Sequence, residues 1–236
     1  MKMNLRYLIV AGLLTSLSAG FAADIIGKIT LKGTPPPEKE LPLDPQCSKL
    51  HTTKPTTRFY VVGSGGELAD VFVYIKDGLS GKTFEAPAAP AILDQKGCEY
   101  TPYVFGLQTK QKLLVKNSDQ VLHNVHTTPL KESGNKESNR AQPAGGKDLE
   151  FAFDNPEVFL RFKCDVHPWM FSYAGVVTHP FHSTTGKDGT FKLKNVPAGK
   201  YEIEAYHRKG GKLTKQVTVG ADNLTADFTM EVKTGE

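Results

Sequence analysis

Apolar and polar residues alternate in short runs along most of the chain, with little helical periodicity after the first 22 residues. Alternation with a period of two is typical of strands that bury one face. Turn-forming sequences such as Gly33–Pro37 and Gly63–Gly66 separate the runs. The runs are Ile25–Leu31, Arg58–Val62, Ala69–Lys76, Lys112–Lys116, Leu149–Phe153, Val158–Cys164 and Tyr173–Thr178. This spacing predicts an all-β protein built from β-sandwiches or barrels.

One long segment interrupts the alternation. Residues 131–147 are rich in Ser, Asn, Lys, Gly and Pro, and they predict a long exposed loop. Alternation resumes beyond it, and a further set of short apolar runs begins near Pro180. Asp188-Gly189 in that region is a strong hairpin-turn signal.

Four candidate metal ligands lie in and near the later runs. Cys164, His167 and Met170 stand within seven consecutive residues, and His123 lies upstream of them. One thiolate, two imidazoles and one thioether form the ligand set of a mononuclear blue-copper site. The sulfur ligands favour Cu(I) and the imidazoles also suit Cu(II), so this set predicts a site for one-electron transfer.

Strand alternation indicates where the cysteine points. Val158, Leu160, Phe162 and Cys164 share one parity, so a regular strand places the thiol on the apolar face.

The same reasoning selects His123 over His126. His123 shares its face with Val121 and Val125, whereas His126 falls on the opposite face with Asn124. A bulge near Asn124 would reverse this choice.

These residues resemble the cupredoxin family. The Cys-x2-His-x2-Met loop is most similar to amicyanin, and the His123-Asn124 pair is similar to plastocyanin and pseudoazurin. The resemblance covers roughly residues 100–178 and implies a Greek-key β-sandwich with one type 1 copper. It implies His123, Cys164 and His167 as equatorial ligands, Met170 as the weak axial ligand, and Asn124 as a brace for the loop that carries Cys164.

The C-terminal segment resembles the carboxypeptidase regulatory-like domain, a small transthyretin-like β-sandwich without catalytic residues of its own. The expected organisation is a signal peptide at 1–22, a cupredoxin-like domain at 23–179 and the small sandwich at 180–236. Residues 23–97 match the first resemblance poorly and are expected to be a divergent front half or a separate β subdomain. We expect 180–236 to be a separable module.

The first 22 residues have the pattern of a secretory signal peptide. Lys2 and Arg6 precede the apolar stretch Leu8–Leu17, and small residues follow before Ala22. The apolar stretch is short for a membrane span, and no second one follows. The sequence therefore predicts a periplasmic or extracellular protein with no membrane span after cleavage. An uncleaved anchor is the alternative.

Net charge and cysteine count add two expectations. The formal charge of +4 is small, which gives no support for nucleic-acid binding. Export permits disulfides. If Cys164 binds copper, Cys47 and Cys98 are the remaining pair and are expected to be bonded, with free structural thiols as the alternative.

The predicted function is electron transfer between redox partners such as a cytochrome or a dehydrogenase, without enzymatic activity. Copper storage or delivery is one alternative, and a non-catalytic interaction module is another. The single cysteine outside the expected pair argues against copper delivery. No haem-attachment motif, nucleophile elbow or phosphate-binding loop is present.

The short ligand loop also predicts the docking surface. Two residues between successive ligands leave little chain to cover His167, whose outer edge is therefore expected to reach solvent. Pro168, Trp169 and Phe171 are expected to form an apolar patch beside it for partner docking. The alternative is that Trp169 and Phe171 pack inward.

Overall fold

The computed structural model describes residues 21–233. Nearly all of the predicted signal peptide, residues 1–20, lies outside the described residues. No helix in 21–233 has the length and apolar character that crossing a membrane requires.

Nearly all of the regular secondary structure in the described chain is strand, as predicted. One short α-helix, α1 (Pro45–Ser48), and one 3-10 helix (Lys131–Ser133) are the described helices. The strands are β1 (Ala22–Lys32), β2 (Phe72–Asp77), β3 (Ala91–Gln95), β4 (Tyr100–Thr101), β5 (Val104–Gln108), β6 (Leu113–Asn117), β7 (His123–Thr128), β8 (Ser138–Gln142), β9 (Leu149–Phe151), β10 (Glu157–Lys163), β11 (Phe171–Val177), β12 (His182–Thr184), β13 (Thr190–Pro197), β14 (Gly199–His207), β15 (Gly211–Val219), β16 (Leu224–Thr225) and β17 (Phe228–Glu231). The fold class is therefore all-β.

The middle of the chain forms the first sandwich. One sheet has the order β5-β11-β10-β7-β8, and the other has the order β4-β3-β6-β9. Apolar side chains from both sheets meet in one buried cluster that includes Leu93, Leu113, Leu160 and Phe162. Burial of this apolar surface is the main stabilising contribution to such a sandwich.

The second sandwich joins the two ends of the described chain. In one sheet β1 lies between β13 and β16 and also pairs with β17; the other sheet has the order β12-β2-β14-β15. Ile25 and Ile29 of β1 are buried in the same cluster as Leu193 of β13 and Ile203 of β14.

The predicted domain boundaries do not follow this strand pairing. Residues 180–236 are not a self-contained sandwich, because their sheets include β1 and β2. Residues 23–97 form neither a front half nor a separate subdomain, because they supply β1 and β2 to the second sandwich and β3 to the first. The cause is long-range pairing, which local alternation does not encode.

The two sandwiches pack directly on each other through a small aromatic cluster. Phe72 of β2 is buried there with Tyr103, Val104 and Tyr173 of the first sandwich. Gly175 of β11 permits this approach, because a Cβ at that position would clash with the Phe72 ring.

Two local predictions were wrong. Residues 131–147 are not one loop, because they contain β8, an edge strand that pairs antiparallel with β7. The polar residues of β8 suit an edge strand, which presents side chains and free backbone groups to solvent. Arg58–Val62 is not a strand; its Arg58 instead forms a bidentate ion pair with Asp70.

Candidate metal centre

His123 is the first residue of β7 and is fully buried. His123, Val125 and Thr127 are buried and share one face of this strand; on the other face Asn124 is also buried and His126 is partly exposed. No bulge interrupts the pairing of β7 with β8. The regular alternation therefore turns His123 into the first sandwich.

Cys164 follows β10 and begins a tight loop that returns to β11. Cys164 donates its backbone N–H to the Met170 carbonyl at 3.1 Å, and Met170 donates to the His167 carbonyl at 2.9 Å. These two bonds fold the three predicted ligands of the loop together. Cys164 is a free, buried thiol, and Met170 is 1% exposed.

The structure brings the predicted ligand atoms of His123, Cys164 and His167 together. The two Nδ1 atoms of the histidines lie 2.9 Å apart, and Cys164 Sγ lies 3.7 Å from His167 Nδ1. The ligand atoms of all three residues lie within 4.8 Å of one another. Met170 is buried in the same cluster as Cys164. Two imidazoles and a thiol are donors that fit copper, and a thioether is a further soft donor.

Asn124 ties the ligand loop to β7. Its Oδ1 accepts hydrogen bonds from the backbone N–H groups of Asp165 at 2.7 Å and Val166 at 3.4 Å. Its own backbone N–H points at Cys164 Sγ, 3.5 Å away. Asn124 thus fixes the separation between the strand that carries His123 and the loop that carries Cys164.

The surroundings of Cys164 favour the thiolate. Burial alone would raise the pKa of this thiol, but His123 and the Asn124 N–H group together lower it. Burial opposes charge on His123 as well, yet Asp119 and Cys164 raise the pKa of this imidazole. The pKa of His167 is lowered by burial and by the neighbouring His123. Because the thiolate is the form that binds metals, the site is prepared for one.

His126 lies apart from this cluster. Its Nδ1 lies 2.7 Å from Asp165 Oδ2, and its Nε2 lies 2.6 Å from Glu137 Oε1. With both ring nitrogens engaged by surface carboxylates, His126 belongs to a polar network outside the sandwich.

The Cys47–Cys98 disulfide is present, as predicted, with 5.7 Å between its Cα atoms. It joins α1 to the turn at 97–98, which contacts the metal-ligand loop through Trp169. Asp44 at the start of α1 places Oδ2 3.4 Å from His167 Nε2. His167 is consequently only 4% exposed. The expectation that the outer edge of His167 reaches solvent was wrong, because α1 covers it. The short ligand loop gave no sign of this cover, since α1 lies far from the loop in sequence.

The predicted docking residues differ in exposure. Pro168 is exposed, whereas Trp169 and Phe171 are half-buried. Trp169 donates its Nε1–H to the Cys98 carbonyl at 3.0 Å, and Phe171 packs against Tyr103. These three residues therefore do not form one open patch.

Two exposed apolar side chains, which the sequence did not single out, directly precede metal-site residues. Val166 is 49% exposed beside His167, and Leu122 is 50% exposed beside His123. A residue that precedes an inward-facing residue on an extended segment points outward, so the alternation around His123 contained the signal for Leu122.

Comparison with protein-family models gives no match, and comparison with curated proteins gives none either. Similar solved structures include a copper-containing nitrite reductase from Thermus scotoductus SA-01, with 17% identity and a TM-score of 0.34. That match covers 42% of this chain and 24% of the reductase, so this chain spans about a quarter of the reductase.

Two small copper proteins are also similar over part of this chain. A purple cupredoxin from Nitrosopumilus maritimus has 18% identity and a TM-score of 0.31, covering 36% of this chain and 98% of that one. Amicyanin from Paracoccus versutus has 13% identity and a TM-score of 0.32, covering 44% of this chain and 96% of its own.

Proposed function

We propose that this protein is an exported, copper-binding electron carrier. The observation that supports the proposal most directly is the convergence of His123 Nδ1, His167 Nδ1 and Cys164 Sγ in a buried site. Met170 is buried in the same apolar cluster as Cys164. Soft sulfur and borderline nitrogen donors suit both oxidation states of copper.

His123, Cys164 and His167 would hold the metal, with Met170 as the weak fourth ligand. Copper, when bound, supplies one-electron chemistry between Cu(II) and Cu(I). The chain supplies a fixed ligand arrangement, because Asn124 and the two loop hydrogen bonds restrain Cys164 and Met170. The apolar core around the sulfur excludes water. One electron would enter from a reduced partner and leave to an oxidised one, with no other chemistry in the protein.

The redox partner would be a protein such as a cytochrome or a dehydrogenase. We propose the end of the first sandwich that carries the ligand loop as its docking surface. Pro168, Val166 and Leu122 are exposed there, while Trp169 and Phe171 are half-buried. Contiguous exposed apolar patches commonly mark protein–protein contacts, and we expect these side chains to contribute to one.

Titration of the purified protein with Cu(II) tests the proposal. We expect one equivalent to bind and to produce an intense visible thiolate-to-copper absorption band. Ascorbate should bleach the band and ferricyanide restore it, with the copper retained after dialysis in both states. Failure to bind copper, or binding without the band, would refute the proposal. Loss of copper on reduction would favour metal delivery over electron transfer.

Replacing Met170 with leucine is expected to keep a coloured site and raise its reduction potential. A fourth donor, even a weak thioether, adds electron density that stabilises the more highly charged Cu(II) more than Cu(I), so its loss shifts the equilibrium toward Cu(I). Potentiometric titration of the copper-loaded protein measures the shift. Met230→Leu is the matched control, because Met230 is equally buried but lies in the second sandwich. Equal potentials for Met170→Leu and the unchanged protein would show that Met170 is not a ligand.

A further inference from the structure

Each ligand histidine has a carboxylate behind it. The Nδ1 atoms of His123 and His167 face each other, so their Nε2 atoms point away from the donor cluster. Asp119 Oδ2 lies 3.0 Å from His123 Nε2. Asp44 Oδ2 lies 3.4 Å from His167 Nε2. Neither carboxylate has a ligand role in the proposed function.

The backbone N–H groups of both half-cystines contact the two carboxylates. Cys98 donates its backbone N–H to Asp119 Oδ2 at 2.7 Å, and Gly97 donates to Asp119 Oδ1 at the same distance. At the other half-cystine, Cys47 donates its backbone N–H to Asp44 Oδ1 at 2.9 Å. One half-cystine thus holds the carboxylate behind His123, and the other holds the carboxylate behind His167.

Backbone geometry at Cys98 suits this arrangement. Gly97 and Cys98 have φ angles of +69° and +53°, which is an uncommon conformation for a non-glycine residue such as Cys98. Their two N–H groups consequently point at the same carboxylate. The Cys98 carbonyl accepts the Trp169 indole N–H, so the same turn also supports the Cys164–Met170 loop. Cys98 therefore contacts Asp119, is bonded to Cys47 of α1, and supports the ligand loop through Trp169.

We propose that Asp44 and Asp119 are positioning residues of the metal centre and that the Cys47–Cys98 bond holds them behind the two ligand histidines. The inference rests on the proposed function. A carboxylate on the distal ring nitrogen fixes the tautomer that leaves Nδ1 free for the metal, orients the ring and makes it a better donor. The negative charges also stabilise Cu(II) relative to Cu(I). The disulfide is thus part of the metal site as well as of the fold.

Asp44→Asn and Asp119→Asn, made separately, test the inference in the full-length chain. Each is expected to weaken binding of Zn(II), measured by chelator competition, by about 10–100-fold. Zn(II) accepts imidazole and thiolate ligands and has no redox chemistry, so this readout is independent of electron transfer. The reduction potential of the copper-loaded variants is expected to rise.

Matched control variants distinguish an effect of Asp44 or Asp119 on histidine position from a general effect of lost negative charge or lost stability. Glu40→Gln removes a carboxylate from the same segment as Asp44, where Glu40 pairs with Lys54 on the surface. Asp94→Asn removes one near Asp119 that accepts a bond from Ser118. Both controls should keep the original affinity and potential. A merely structural role for Asp44 and Asp119 would lower the melting temperature of the metal-free protein without changing either quantity.

The double variant Cys47→Ser/Cys98→Ser tests the role of the disulfide. If the disulfide acts through the carboxylates, adding Asp119→Asn to the double variant should weaken Zn(II) binding much less than Asp119→Asn does in the unmodified chain. The two effects on affinity are then strongly non-additive. Full additivity would refute the proposed link between disulfide and carboxylates. Unchanged affinities in both aspartate variants would refute this inference alone. An unmodified chain that binds neither metal would instead refute the proposed function.

Discussion

Replacing Cys164 with serine is expected to abolish the visible absorption band of the copper-loaded protein. The band requires a thiolate bound to Cu(II), and Cys164 is the free cysteine of the described chain. A serine hydroxyl is a harder donor that stays protonated near neutral pH, so it replaces neither the charge nor the softness of the sulfur. Cu(II) titration followed by absorption spectroscopy measures the effect, and the affinity for copper should fall with the colour.

Thr127→Ser provides the comparison for this variant. Thr127 is fully buried on the same strand as His123, and its hydroxyl exchanges hydrogen bonds with the Ser138 backbone. The substitution perturbs the same sandwich without touching a donor atom, so the colour should remain. A visible band that survives Cys164→Ser in a folded protein would show that another sulfur, or no sulfur, binds the metal.

The local part of the site was predictable because it depends on short-range geometry. Cys164 and His167 belong to one loop. The alternation of Leu160 and Phe162 in β10 continues to Cys164 just after the strand and places the thiol inward. His123 follows the same rule on β7. A period of two survives in strands whenever one face is buried, and these strands are regular near the metal centre.

Alternation failed where a bulge interrupts β10. Val158 was expected on the same face as Leu160, but the register with β11 shifts between these two residues. Phe159 takes a φ of +70° there, and its ring packs against Tyr206 of the second sandwich, with 4.1 Å between centroids and 33° between the ring planes. Packing between the two sandwiches explains the bulge, and no nearby residue encodes it.

The cover over His167 was not predictable for a related reason. Asp44 and α1 are more than a hundred residues away from the ligand loop in sequence, and nothing in Asp44 itself indicates a contact with His167. The cysteine count did suggest the bond between Cys47 and Cys98. The bond alone, however, does not show that Cys98 contacts Trp169, because that contact depends on how the strands pair. The position of α1 over His167 depends on the pairing of strands that are distant in sequence.

A chain that ends at residue 179 is expected to lose cooperative folding. It would lack β12 to β17. Of these strands, β13, β16 and β17 pair with β1, and β12 and β14 flank β2. The buried surface of Ile25, Ile29, Val73 and Ile75 would then face water. Each such side chain contributes about 1.5–3 kcal/mol when fully buried, and a whole domain is stable by only about 5–15 kcal/mol. Thermal unfolding and size-exclusion chromatography would show an aggregated or non-cooperative species.

The matched control for that truncation is a full-length chain that is cut near residue 179 but keeps its C-terminal fragment. A protease site placed in the exposed turn at 186–188 lets the full chain be cut after it has folded. Because β13 pairs with β1 and β14 pairs with β2, the fragments should co-elute and keep the copper site. If the shortened chain instead unfolds cooperatively and binds copper, the expectation is wrong, and the first sandwich, whose strands all precede residue 179, folds without residues 180–233. If the cut fragments separate without denaturant, the pairing of β1 and β2 contributes little to holding the second sandwich together.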